Sequence, residues 1–205
     1  MSEENQKKSR LSRIVQILIL ALILVGFPAG SWFYLKKGAD YRRANISELG
    51  DLGKFEPKGT FLNVEMMPAS ADSLRGKMLL IAAAQQAGDF ENPGFIKQFN
   101  QLDEQYKNRE DTRLLLLTGD SLQSRPGWVS EKNTWVFFAP SGLQEKAFGL
   151  DFGDKKLPCW VLVDIKGTIR KYYQADEFEK LVLQSSMIAP GKQRESIELK
   201  REKEK

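Results

Sequence analysis

The segment from Leu157 to Tyr173 reads LPCWVLVDIKGTIRKYY, and its pattern predicts a β-hairpin. The continuous apolar run that begins at Cys159 has the length of a strand, and such a run is typical of a strand covered on both faces. Lys166 and Gly167 provide a turn with a glycine, and a second strand-like run follows from Thr168 to Tyr173. Pro158 lies immediately before the first of these strands.

Upstream of the hairpin, three more apolar runs have strand length: Lys77–Ala84, Arg113–Thr118 and Trp135–Phe138. Asn92 and Pro93 form a helix start, and apolar residues then recur at three- and four-residue spacing. A second helical pattern runs from Ala175 to Ser185. The resulting order, with helices between strands and an antiparallel hairpin near the end, predicts an α/β domain with a mixed central sheet flanked by helices.

This order, with a proline directly before the hairpin, resembles the thioredoxin-like fold. The resemblance implies that Pro158 has a cis peptide bond, although most X-Pro bonds are trans.

Within that superfamily, the chain is most similar to the membrane-anchored Sco proteins. The run that starts at Leu74, LRGKMLLIA, resembles their first core strand and leads into the segment GDFENP, residues 88–93. Aligned on Pro93, the two copper-binding cysteines of the family fall on Gly88 and Asn92. The family histidine falls near residues 155–158, where this chain has none. The resemblance therefore implies a degenerate member that lacks all three copper ligands.

The amino-acid composition excludes several kinds of catalytic and metal site. The 205 residues include one cysteine and no histidine, which excludes histidine catalysis, an internal disulfide and a cysteine-based zinc site within one chain. Lys and Arg exceed Asp and Glu by 31 to 27, and the charges are interleaved, so no nucleic-acid partner is expected. We also expect no cofactor and no enzymatic activity.

Residues Ile14 to Leu35 contain no charge, and a helix of this length spans about 33 Å, enough for a bilayer core. A cleaved signal peptide is the alternative, because small residues follow Val25. The run continues through Trp32 to Leu35, which favours an anchor that is kept. We expect a single-pass inner (plasma) membrane protein with a cytoplasmic N-terminus and its domain in the periplasm or an equivalent extracytoplasmic space.

The expected organisation has five parts: a cytoplasmic tail (1–13), a transmembrane signal anchor (14–35), a linker (36–59) with irregular structure from Tyr41 to Gly59, a Sco/thioredoxin-like domain (60–187) and a charged C-terminal tail (188–205).

Eight residues are expected to surround the place of the missing copper site, and we call them the candidate surface: Gln85, Gln86, Gly88, Asp89, Asn92, Pro93, Pro158 and Cys159. Cys159 is interpreted first as a small buried residue, since free cysteine is often buried. Asp89, Glu91 and Asp120 are a weaker hypothesis for a hard-cation site, and Asp151 with Asp154 is interpreted as a turn.

The expected function is a redox-inactive binding or assembly factor for a protein partner. The Sco resemblance implies that this partner is a respiratory oxidase or another assembly factor. Two alternatives remain open at this stage. Cys159 could carry thiol chemistry with a cysteine of a partner or of a second chain, or copper could bind through Met66, Met67 and Cys159 with ligands that a partner supplies.

Overall fold

The computed structural model describes residues 15–57, 60–120, 124–139 and 148–190. It divides the chain into two compact units, Met1–Glu48 and Leu49–Lys205. The predicted tail of residues 1–13, residue 14 of the predicted anchor and residues 191–205 of the predicted C-terminal tail lie outside the described residues.

The first unit is one helix, α1, from Val15 to Ser47. It contains a π-helical turn at Leu22–Gly26, followed by regular α-helix over Phe27–Ser47. The side chains of its apolar stretch are exposed, including Leu24 and Phe27. By length and composition α1 can cross a membrane, and an N-terminal signal sequence would share these properties.

The prediction of irregular structure from Tyr41 is wrong for its first part, because α1 continues to Ser47. Between Lys36 and Ser47 there is no proline, and charged residues recur at helical spacing, with Arg43 3.8 Å from Asp40 one turn away.

The second unit also begins earlier than residue 60. The N–H groups of Leu52 and Phe55 donate to the carbonyls of Ile169 and Gly167, and the Phe55 ring is buried. The segment after Leu49 is therefore an irregular strap along the hairpin. Its buried residues, Phe55 and Pro57, are too few to form a pattern that could be recognised in the sequence.

Among its described residues, the second unit contains seven strands and two helices. The strands are β1 (Thr60–Leu62), β2 (Pro68–Ser70), β3 (Met78–Ala84), β4 (Thr112–Thr118), β5 (Val136–Phe138), β6 (Cys159–Val163) and β7 (Ile169–Tyr173). The helices are α2 (Pro93–Tyr106) and α3 (Phe178–Ile188), and 3-10 turns occupy Ala71–Ser73, Ala87–Glu91 and Ala175–Glu177. Sequence analysis missed β1 and β2, since three residues are too few to show a period.

The strands form one sheet in the order β2-β1-β5-β4-β3-β6-β7. Strands β3, β4 and β5 are parallel, whereas β6 is antiparallel to β3 and β7 is antiparallel to β6. This is a thioredoxin-like fold, as predicted. The predicted hairpin and the helix that starts at Pro93 are both present.

Strand β3 lies at the centre of the core, and all seven of its residues are buried. Alternate side chains face opposite sides of a sheet, which explains why an uninterrupted apolar run suits this strand. Leu80 and Ala82 pack with α2 and α3 on one face, and Leu79 and Ile81 pack in a second cluster on the other face.

The turn of the β6–β7 hairpin is organised by Asp164. One carboxylate oxygen accepts the N–H groups of Lys166 and Thr168 at 2.8 and 2.9 Å, and the other accepts from the Arg170 guanidinium at 2.8 Å. Burial raises the pKa of Asp164, but these hydrogen bonds outweigh it, so the pKa lies below its usual value.

We expect Asp164→Asn to lower the free energy of unfolding by about 2 kcal/mol at neutral pH, because the charge-assisted bonds are lost. Since the native pKa is depressed, this stabilisation is present above about pH 4 and is lost as the pH falls below it. The difference between the wild type and Asp164→Asn should therefore shrink in urea titrations below pH 4. Exposed Asp154→Asn is the control and should change stability by less than about 0.5 kcal/mol. A pH-independent difference would contradict this account.

Candidate functional site

The candidate surface lies at one end of the sheet, where β3 ends and β6 begins. Ala83 on β3 pairs with Cys159 on β6, so Gln85 and Pro158, which flank this pair, belong to the same edge. The Leu157–Pro158 peptide bond is cis, as the resemblance implied. The fold therefore brings the two distant parts of the predicted surface together.

The position of Gln85 is fixed by a close approach of β4. The Gly119 N–H donates to the carbonyls of Ala84 and Gln85, both at 3.1 Å. A Cβ atom on Gly119 would lie 2.5 Å from the Gln85 carbonyl oxygen, so only glycine fits there. The side chains of Gln85 and Gln86 are exposed.

The loop that aligns with the copper motif of Sco proteins is held by two carboxylates, one from the loop itself and one from the segment after β4. Asp89 Oδ2 accepts the Gln86 N–H at 3.0 Å, and Asp120 Oδ1 accepts the Ala87 N–H at 2.9 Å. Both carboxylates therefore hold backbone donors at the start of the 3-10 turn, which is a structural role.

At the start of α2, Asn92 is the N-cap and Pro93 is the first helical residue. Asn92 Oδ1 accepts the Gly94 N–H at 2.8 Å. Gly88 is exposed, and a Cβ atom added to it would meet nothing within 4 Å. Of the two positions that carry cysteine in the Sco proteins, Asn92 is therefore a helix cap, and Gly88 has open space where a side chain would be.

Between the loop, α2 and the cis-proline is a cavity of about 140 Å³, which we call the edge cavity. Its lining residues are Asp89, Asn92, Gly94, Phe95, Gln98, Pro158, Cys159, Trp160 and Ala175. Four of the eight predicted surface residues line it, and the other four, Gln85, Gln86, Gly88 and Pro93, do not.

The wall of the edge cavity is aromatic and firmly held. The Phe95 ring stacks on Trp160 with centroids 5.2 Å apart and planes at 10°. Gln98 Oε1 accepts from Trp160 Nε1 at 2.9 Å, and Gln98 Nε2 donates to the Ala175 carbonyl at 3.1 Å. Sequence analysis missed Phe95, Gln98 and Trp160 as lining residues. Their apolar spacing signals only a buried face, and the cavity arises from the packing of α2 on β6.

Cys159 is 2% exposed, and its side chain packs in the hydrophobic cluster on the face of the sheet away from α2. Burial raises the pKa of the thiol to about 12, although the charge of Lys155 opposes the shift. The side chain is therefore a neutral thiol near pH 7. A neutral, buried thiol is a poor nucleophile, because the thiolate is the form that attacks.

The weaker metal hypotheses gain no support from the geometry. Among the residues that the structure describes, no group of three or more acidic or cysteine side chains is arranged to hold a metal ion. Met66 and Met67 lie in the β1–β2 turn, and β1 is four strand positions from β6. At about 4.8 Å per strand this is about 19 Å, so the two methionines cannot share one ion with Cys159.

No family model matches the sequence, and no curated protein does either. Solved structures with a similar fold include a protein of Bacteroides thetaiotaomicron described as a candidate protein disulfide isomerase, at 21% identity and a TM-score of 0.48. That similarity covers 66% of this chain and 88% of that protein.

Two Sco proteins are also similar. BsSco, a member of the Sco family of cytochrome c oxidase assembly proteins, is 17% identical with a TM-score of 0.46, over 68% of this chain and 96% of that protein. A SCO1/SenC family lipoprotein from Bacillus anthracis is 14% identical with a TM-score of 0.43, over 65% of this chain and 94% of that protein. These likenesses carry no argument about activity.

Proposed function

We propose that the protein is a membrane-anchored, redox-inactive binding or assembly factor that recognises a protein partner through the candidate surface. The observation that carries this proposal is the placement of the thiol: Cys159 is buried on the far face, while Gly88 and Asn92 hold the positions of the missing cysteines. A reductase needs two sulfurs that react in turn, and this edge of the sheet offers no accessible sulfur among its described residues.

The shape and composition of the surface suit binding. Seven of its eight residues are at least partly exposed, and the edge cavity combines an aromatic wall with polar groups from Asp89 and Asn92. At about 140 Å³ the recess is smaller than the usual small-molecule pocket, so it suits one side chain of a protein partner better than a free ligand. Gln98 and Trp160 brace each other, so the recess is preformed.

We also place the protein in the inner (plasma) membrane, with α1 as an uncleaved anchor, the N-terminus in the cytoplasm and the domain in the periplasm or an equivalent space. This rests on the length of α1 and on the usual orientation of a short tail before a large domain. The identity of the partner as a respiratory oxidase or an assembly factor rests on the Sco resemblance alone.

Gly88→Arg should abolish capture of the partner when the full chain is purified from detergent-solubilised membranes and compared with the wild type by quantitative mass spectrometry. The added side chain enters open space beside the edge cavity, so it blocks the surface without disturbing the fold. Gly127→Arg is the matched control, since its Cβ also meets nothing within 4 Å and Gly127 does not line the cavity. We expect at least about a tenfold loss for Gly88→Arg, which corresponds to about 1.4 kcal/mol of binding.

Equal capture by both variants, or the absence of any protein that the wild type captures above membranes lacking this chain, would refute the binding proposal. Thiol chemistry is tested separately with Cys159→Ser, which should retain partner capture and cellular function in full. A loss of function in Cys159→Ser, with the fold intact by circular dichroism, would instead favour the thiol or copper alternative.

A further inference from the structure

A second cavity lies at the opposite end of the sheet from the candidate surface. It surrounds the start of β3 and the β6–β7 turn, whereas the edge cavity lies where β3 ends and β6 begins. Strand β3 has seven residues, which separate the two ends by about 23 Å. This second cavity is therefore independent of the proposed partner site, and we call it the basal cavity.

The basal cavity has a volume of about 320 Å³, within the usual range for small-molecule sites. Its floor is apolar and formed by three buried side chains, Phe55, Leu74 and Leu79. Phe55 is held there by its own backbone, since its N–H donates to the Gly167 carbonyl at 2.8 Å. The floor thus belongs to the packed core and is not a loose surface groove.

The rim carries an excess of positive charge. Arg75, Lys77 and Lys166 line the cavity together with a single carboxylate, Glu56. Lys77 Nζ donates to the Glu110 carbonyl at 2.7 Å, which positions the ammonium group without neutralising it. Arg75 is 3.5 Å from Asp72, but both side chains are mostly exposed, so this ion pair is weak and can exchange for another anion.

The apolar floor and the cationic rim together indicate which class of ligand suits the basal cavity. A purely apolar ligand would leave the basic groups without an anion, and a bare inorganic anion would leave the floor uncovered. Ile165, 43% exposed at the mouth, extends the apolar surface toward solvent.

We propose that the basal cavity binds an organic phosphate or carboxylate whose apolar body packs on Phe55, Leu74 and Leu79 while its anionic group pairs with Lys77 and Lys166. Such an anion is supplied either by a soluble ester or by a phospholipid with its headgroup, and the test separates the two.

The test uses the full chain in neutral maltoside micelles and measures binding of 1-naphthyl phosphate by isothermal titration calorimetry, with blank micelles subtracted. Naphthyl phosphate should bind saturably, and inorganic phosphate should bind at least about tenfold more weakly because it lacks the apolar body. Replacing both Lys77→Gln and Lys166→Gln should weaken naphthyl phosphate binding about tenfold. The paired control, Lys97→Gln with Lys132→Gln, removes two exposed charges elsewhere and should change it less than about twofold.

Micelles doped with phosphatidylglycerol identify the source of the anion. A rise in the apparent Kd for naphthyl phosphate indicates a lipid ligand, and an unchanged Kd indicates a soluble one; both uphold the site. The proposal is overturned if naphthyl phosphate shows no saturable binding, if inorganic phosphate binds equally well, or if the control pair weakens binding as much as the cavity pair. Thermal unfolding of each variant confirms that the fold is retained, and the exposed Arg75→Gln provides a second cavity variant if Lys77→Gln unfolds.

Discussion

Alkylation of Cys159 by iodoacetamide near pH 8 is expected to be about a thousandfold slower in the native protein than in the unfolded chain. An ordinary cysteine has a pKa of about 8.5, so roughly a quarter of its molecules are thiolate at that pH. The pKa of native Cys159 is raised to about 12, because the thiol is buried, and only about one molecule in ten thousand is then ionised. The side chain is 2% exposed, so access lowers the native rate further.

The alkylation rate of Cys159 should depend on pH differently in the native and the unfolded chain. The native rate should rise about tenfold per pH unit from pH 7 to 10, whereas the rate in denaturant should level off above about pH 8.5. The raised native pKa also affects stability: its contribution is complete below about pH 8.5 and declines at higher pH, because the unfolded chain then loses a proton that the native chain keeps.

An introduced cysteine provides the internal control. In Lys132→Cys the new thiol is at an exposed position, and it should react at the rate of an unfolded cysteine while Cys159 of the same chain stays unmodified. Native and unfolded rates of Cys159 within about tenfold of each other would show that the thiol is accessible. The redox-inactive function proposed above would then lose its main support.

Trp160→Ala is expected to lower the free energy of unfolding by about 3–5 kcal/mol, the range for removal of a large buried aromatic side chain. Trp160 is 2% exposed and lies in an aromatic cluster, with Phe95 stacked at 5.2 Å and Phe178 at 5.7 Å. Its removal also leaves the Gln98 carbonyl oxygen without the indole donor. Since small domains are stable by about 5–15 kcal/mol, this loss is a large fraction of the total.

The comparison with Trp160→Phe separates packing from hydrogen bonding. Phenylalanine keeps an aromatic ring against Phe95 but has no N–H, so we expect a loss of only about 1–2 kcal/mol. Both values come from urea unfolding of the full chain in neutral detergent, monitored by near-UV circular dichroism. Equal losses for the two variants would mean that the hydrogen bond to Gln98, and not the aromatic packing, dominates this wall of the edge cavity.

The parts of the fold that were predicted correctly are those with long local patterns. Strands β3, β4 and β6 are continuous apolar runs, and α2 combines a proline start with buried residues at helical spacing. The short strands β1 and β2 were missed because their pairing partners, and not their own residues, define them. The continuation of α1 to Ser47 was missed because a polar, exposed helix lacks an apolar stripe.

At the candidate site, the sequence correctly predicted residues that share one end of the sheet, but it did not predict the edge cavity beside them. Gln85, Asn92 and Pro158 follow from the alignment of one loop and one proline. The wall made by Phe95 and Trp160 depends on how α2 lies across β6, and the burial of Cys159 depends on which face of β6 its side chain takes. Both are consequences of tertiary packing, which local spacing does not encode.

The burial of Cys159 and the absence of histidine remove two common ways in which a protein responds to mild changes in pH or in thiol oxidants. Between about pH 5 and 8 histidine is the side chain whose charge ordinarily changes, and this chain has none. Its only sulfhydryl group stays protonated and enclosed throughout that interval. Mild acidification, or a change in the supply of thiol oxidants, is therefore expected to leave Cys159 protonated and unmodified. A response of the domain to oxidants would therefore have to come from another group, such as the exposed thioether of Met67.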